Sequence, residues 1–196
     1  MKKLTKKSLL LSLLFVSMFS FASTNNLKDK EKEPKVTVVS FKEVKLGSKL
    51  SIKDVNGLTL YKESIQESGE YSKGFDLTSL PNGEYIFELD SKLKITILPF
   101  NVVSNQVAFK KEEESIIYKP FVRMKDSHVY VSRISFEKSP LKFKIYFQDN
   151  YELVLSEMFE NESGVNRIYD FSTSKKGNYV FVFKSNGRTF THIVKI

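Results

Sequence analysis

Residues 75–89 read FDLTSLPNGEYIFEL, and residues 169–183 read YDFSTSKKGNYVFVF. Asp76 and Asp170, Gly83 and Gly177, and Tyr85 and Tyr179 each stand 94 residues apart. In the first copy Tyr85, Phe87 and Leu89 occupy alternate positions, so a strand turns all three toward one face. Leu77 and Leu80 precede them across a corner made by Pro81-Asn82-Gly83. A tyrosine at the start of the strand after such a corner is a feature of Greek-key sandwiches. Its ring enters the core and its hydroxyl returns to a backbone group. The two glycines are expected to hold a backbone conformation that is costly for a residue with a Cβ. The two aspartates are expected to accept backbone N–H bonds in the turn. All six residues thereby receive structural roles.

The stretches around this pattern alternate apolar and polar residues over short runs, as in Leu50-Ser51-Ile52-Lys53 and Leu58-Thr59-Leu60-Tyr61-Lys62. That is the period of a half-buried strand, and no window of a dozen residues carries a helical stripe. Asn56-Gly57 separates two such runs, which predicts a hairpin of 49–55 with 58–65 through a two-residue type I′ turn. Asp149-Asn150 holds the matching place in the second copy, where Ile145 and Leu153 follow Ile52 and Leu60 by 93 residues. The offset changes from 93 to 94 between strands, as expected of a duplicated domain that gained one residue in a loop. The charge run Lys110 to Glu114 separates the copies. The fold class read from this is all-β: two tandem immunoglobulin-like (fibronectin III-like) antiparallel β-sandwich modules, residues 36–110 and 111–196.

Residues 1–22 have the form of a secretory signal peptide. Lys2, Lys3, Lys6 and Lys7 are followed by an apolar run from Leu9 to Phe21 and by small residues at Ser20 and Ala22. The run is shorter than the ~20 residues that span a bilayer, so cleavage is expected and no stable membrane anchor remains. Residues 23–35, STNNLKDKEKEPK, read as a disordered leader. Loss of the four signal lysines takes the formal charge from +8 to about +4. The remaining lysines are scattered along strands and turns, and export argues against nucleic acid as a partner. The chain has no cysteine, which excludes both disulfides and a lipid-modified cysteine anchor. An exported protein in the periplasm, on the cell surface or in the medium is expected.

Nothing in the sequence assembles a catalytic or metal-binding constellation. His128 and His192 are the only histidines, each on a strand-like run beside apolar residues. No nucleophile elbow, zinc spacing or phosphate-cradling glycine loop occurs. Asp54-Val55-Asn56-Gly57 resembles a fragment of a calcium loop, but a hairpin turn accounts for it. Glu112-Glu113-Glu114 are adjacent loop acids that point in different directions, unlike the opposed pair of a glycosidase. No cofactor, metal or enzymatic activity is expected. Phe and Tyr number 17 and 9, more than two small cores are expected to bury. The surplus points to a protein-binding surface, and with no Trp to stack on sugars a glycan surface is the lesser expectation.

The first copy also resembles the C-terminal sorting domains of the Bacteroidetes type IX secretion system. The residues that carry the likeness are Ile52, Asp54, Gly57, Tyr61, Asp76, Leu77, Leu80, Gly83 and Tyr85. Ile145, Asp170, Gly177 and Tyr179 carry a weaker version in the second copy, whose ending NGRTFTHIVKI is similar to the closing strand of such domains. Small secreted immunoglobulin-like domains of the same phylum share the pattern. The first resemblance implies recognition by secretion machinery through the second copy. The other implies a freestanding envelope module that binds or scaffolds a protein partner. The chain carries no separate cargo domain and its better match is the internal copy, so the freestanding module is the preferred expectation.

Overall fold

A computed structural model describes residues 36–196. The signal peptide and leader expected from the sequence lie outside the described residues. Strands dominate, as the two-residue alternation predicts. The first six are β1 (Thr37–Val44), β2 (Lys49–Asp54), β3 (Thr59–Ser64), β4 (Gly69–Phe75), β5 (Gly83–Asp90) and β6 (Lys94–Val103). β1 and β4 pair as one sheet, and β3-β2-β5-β6 form another, all antiparallel. Side chains from both sheets meet in one core around Phe41, Leu50, Phe75, Phe87 and Phe100.

Two short strands follow, β7 (Gln106–Phe109) and β8 (Ser115–Tyr118), on either side of a single 3-10 turn at Lys111–Glu113. β7 pairs with Phe100–Val103 of β6, and β8 pairs with Lys94–Ile97 of the same strand. The connection between modules therefore doubles back along β6 and covers its outer edge, which would otherwise offer unpaired backbone groups. The chain stays on the first module's sheet as far as Tyr118, beyond the division at 110/111 read from the charge run.

The second module contains β9 (Phe121–Lys125), β10 (His128–Ile134), β11 (Leu141–Phe147), β12 (Glu152–Phe159), β13 (Gly164–Asp170), β14 (Asn178–Ser185) and β15 (Arg188–Lys195). Its sheets run β13-β10-β9 and β12-β11-β14-β15. They enclose a second core around Val131, Phe143, Phe171, Phe181 and Phe183. Chain order in both modules alternates between the sheets in the Greek-key manner, which makes each an immunoglobulin-like, fibronectin III-like sandwich. The edges differ between modules: β9 lies outside β10, and no described strand fills the corresponding place beside β1.

The first hairpin turns differently from the type I′ expectation. Gly57 has φ of +82° but Asn56 does not share a positive φ. The reason is Asp54, whose Oδ1 accepts the N–H groups of Asn56 at 3.0 Å and Leu58 at 2.8 Å and holds a longer loop. That leaves a bulge between Ile52 and Lys53. In the second module Tyr151 occupies the left-handed place of Gly57, with φ of +54°.

Candidate functional site

The paired sequence motif builds the two corners ahead of β5 and β14. Tyr85 is 7% exposed and its hydroxyl donates to the Pro81 carbonyl at 2.8 Å; Tyr179 is 3% exposed and donates to the Lys175 carbonyl at 2.8 Å. Both rings pack on core aromatics, Tyr85 on Phe100 at 5.4 Å between centroids and Tyr179 on Phe171 at 5.0 Å. The hydroxyls are thus committed to backbone acceptors.

The other motif residues divide between the copies. Asp170 Oδ1 accepts the Ser172 N–H at 2.8 Å, and this bond holds its carboxyl below the ordinary range. Asp76 Oδ1 instead accepts the Thr78 hydroxyl at 2.8 Å. Gly177 has φ of +150°, and a Cβ there would lie 2.6 Å from the Phe147 ring. Gly83 has neither constraint: its backbone is ordinary and a Cβ would sit 3.5 Å from Tyr85. The expected conformational reason for glycine therefore applies at Gly177 and not at Gly83.

The candidate chemical groups are dispersed. His128 stands opposite Asp170 in the β10–β13 register. His192 on β15 is half-buried, and its Nε2–H donates to the Pro120 carbonyl at 3.1 Å. Burial holds its ring below the usual histidine range. The loop aspartate Asp54 spends its oxygen on the turn. Glu113 lies 3.8 Å from Lys110.

Three arrangements escape local sequence reading. The first joins the modules. Glu88 is 5% exposed on the outer face of β5. Its Oε1 meets Lys53 Nζ at 2.8 Å, and its Oε2 meets Arg188 Nη2 of the second module at 2.5 Å. Burial raises the Glu88 carboxyl, but the charged hydrogen bonds from Arg188 and Lys53 outweigh it and hold the group below its ordinary value. Lys119 pairs with Asp90 beside this clamp. A cavity of about 530 Å³ adjoins it, lined by Lys92, Lys119, Arg188 and His192 among others.

The second arrangement latches one flank of each sandwich. Glu63 on β3 accepts the hydroxyls of Tyr61 and of Tyr71 on β4, and meets Lys73 Nζ at 2.7 Å. Glu157, 94 residues later on β12, accepts the Tyr169 hydroxyl of β13 at 2.6 Å. The shared offset was a signal that could have revealed this pair.

The third is a row of apolar side chains on the outer face of the second module. Leu153, Tyr146, Val180 and Ile193 are successive cross-strand neighbours on β12, β11, β14 and β15. Leu153 and Ile193 are 50% and 61% exposed, and Tyr151 next to the row is 71% exposed. Most phenylalanines pack inside; Phe121 and Phe136 are exposed. The exposed apolar surface is therefore more aliphatic than the sequence count suggested.

No known family's sequence profile matches this chain, and no curated protein matches it. Solved structures similar to it include the following two. One is titled a biofilm-associated protein BSP domain, at 13% identity and a TM-score of 0.28, covering 83% of this chain and 27% of the other. The second is the chicken CNTN1 FN1–FN3 domains, at 14% identity and a TM-score of 0.28, covering 78% and 57%. The chain spans less than two thirds of the length of either.

Proposed function

We propose that this chain is an exported, non-enzymatic binding protein whose two sandwich modules scaffold protein contacts at the cell envelope. The observation that carries the reading is how its side chains are spent. Aromatic rings and tyrosine hydroxyls serve cores, corners and latches, whereas Leu153 and Ile193 stand exposed at the two ends of a cross-strand row whose middle members are half-buried Tyr146 and buried Val180, with exposed Tyr151 beside it. Exposed apolar side chains standing together on one sheet face favour protein contact. Histidines and acids are scattered or committed to structural bonds, and among the described residues no helix is long and apolar enough to cross a membrane. The signal-like start supports export.

The test places a photocrosslinking residue at position 193 in the native host, with a second at Lys142 on the charged end of the same face. Discrete protein adducts at 193 in envelope or medium fractions are expected. Absence of protein adducts, or substrate turnover abolished by changing His128 or His192, would overturn the reading.

A second reading, recognition by type IX secretion machinery, draws support from β15, an edge strand that turns Thr189, Thr191, Ile193 and Lys195 outward. Truncation is an unsuitable test, because Phe190, Val194 and Ile196 pack on the core. Changing Ile193 and Lys195 to serine spares those contacts. Unchanged export with unchanged melting would exclude this reading.

A further inference from the structure

Arg133 continues the inward row of Val129 and Val131 along β10 and is 6% exposed. Its Nη1–H donates to the Ser139 carbonyl at 2.9 Å and its Nη2–H to Ser185 Oγ at 2.8 Å. The Ser185 hydroxyl donates in turn to the Pro140 carbonyl at 2.7 Å. These bonds fix the guanidinium and leave the rest of its donors to spare. None of the ion pairs among the described residues involves Arg133. Burial alone acts on its pKa and lowers it from the ordinary value, yet an arginine stays charged. A buried charge is ordinarily paired, because the hydration it loses is costly to replace.

Arg133 lines a cavity of about 300 Å³ between β8 and the end of β10. Ile116 of β8, with Ile134 and Phe136 at the end of β10, gives the cavity exposed apolar walls. Phe136 is 77% exposed and stands edge-on to Tyr118, with 5.8 Å between ring centroids. Glu114 and Glu137 line the same cavity from exposed positions and take no part in the ion pairs either. One buried cation, two exposed anions and an apolar wall therefore share a single small space.

We propose that this cavity binds a small apolar zwitterion of the amino-acid type, free or as a short peptide. Its carboxylate sits on the Arg133 guanidinium, its ammonium faces Glu114 and Glu137, and its side chain lies against Ile116, Ile134 and Phe136. Other ligand chemistries fit worse. A multiply charged anion such as phosphate is repelled by the two glutamates, and a simple cation by the guanidinium. A wholly apolar molecule would strip water from Arg133 and give nothing back. A carboxylate matches the fixed donor fork of an arginine. The volume lies at the small end of the range for ligand pockets, which suits a molecule of this size. The site goes beyond the binding role assigned to the outer face of the second module and does not depend on it.

The experiment titrates the mature chain, residues 23–196, with L-leucine, the dipeptide Leu-Leu, L-leucinamide and N-acetyl-L-leucine in a calorimeter. Leucine or the dipeptide is expected to bind with Kd below about 1 mM. Leucinamide, which lacks the carboxylate, should bind at least about tenfold more weakly than leucine. N-acetyl-leucine, which lacks the ammonium, should lose about threefold or more, less than leucinamide because the glutamates are exposed. Arg133→Gln should abolish binding. Because Arg133 is buried, the exposed variants Phe136→Ser and Glu114→Gln with Glu137→Gln serve beside it. Each should weaken leucine binding at least about threefold with melting unchanged. A dipeptide that binds tighter than leucine assigns the site to short peptides, and the reverse order assigns it to the free amino acid.

Absence of heat from both leucine and the dipeptide up to about 10 mM would overturn the proposal. So would leucinamide or N-acetyl-leucine binding as tightly as leucine, since either would show that one of the two charges is not read. Full affinity in the folded Phe136→Ser and glutamate variants would place the ligand elsewhere and overturn it equally. Adducts at position 193 are independent of all these results, so this site can fail while the protein-binding reading stands.

Discussion

Replacing Glu88 with glutamine tests how the two modules are held together. The carboxylate is 6% exposed at its side chain, and its partners Lys53 and Arg188 are 24% and 26% exposed. Removing one partner from a fully buried pair costs ~3–5 kcal/mol, chiefly because the remaining charge is stranded. Here the stranded cations are a quarter exposed and can recover water, and glutamine keeps the shape and one acceptor. A loss of ~1–3 kcal/mol is therefore expected, in line with one or two charge-assisted hydrogen bonds. Urea denaturation of the full mature chain would measure it. A double-mutant cycle with Arg188→Gln isolates the bond between modules, with an expected coupling of at least ~1 kcal/mol. The folded-state pKa of Glu88 is depressed. Its contribution is therefore complete above the unfolded carboxylate value near ~4.3 and is lost as pH falls through the lower folded value. The coupling should accordingly fade in acid. A coupling below ~0.3 kcal/mol at neutral pH, or one indifferent to acid, would refute the idea that this carboxylate locks the modules.

Tyr85→Phe and Tyr179→Phe should each cost ~1 kcal/mol in denaturant melts, since each removes one hydrogen bond to a backbone carbonyl and leaves the ring in place. Gly177→Ala should destabilise by ~1–3 kcal/mol, because its Cβ would overlap the Phe147 ring. Gly83→Ala should stay within ~0.5 kcal/mol, and equal effects at the two sites would contradict the geometry. Burial raises the Glu63 carboxyl, but hydrogen bonds from Lys73, Tyr71 and Tyr61 outweigh it and lower the value overall. Its stabilisation should be present above the ordinary carboxylate range and disappear as pH falls through the folded value. Glu63→Gln should flatten the acid limb of a melting-temperature profile, measured against the parent chain.

Strand alternation and the doubled corner pattern were enough to indicate an all-β chain of immunoglobulin-like sandwiches. The period of side chains along a strand is a local property, and burial of one face imposes it directly on the sequence. Which residues meet across sheets is not local. Glu88 and Arg188 are 100 residues apart, and nothing near either marks the other as a partner. Gly83 and Gly177 occupy the same motif position, yet only the neighbouring Phe147 ring and a positive φ make glycine necessary at one of them. Asp54 drew its hairpin away from the commonest Asn-Gly turn through side-chain bonds whose geometry a dipeptide does not reveal. The covered edge of β6 and the edge of β1 that no described strand pairs are decided by where the connecting strands lie in the tertiary structure. Edges are defined by neighbours, so a sequence period can announce a strand without saying what lies beside it.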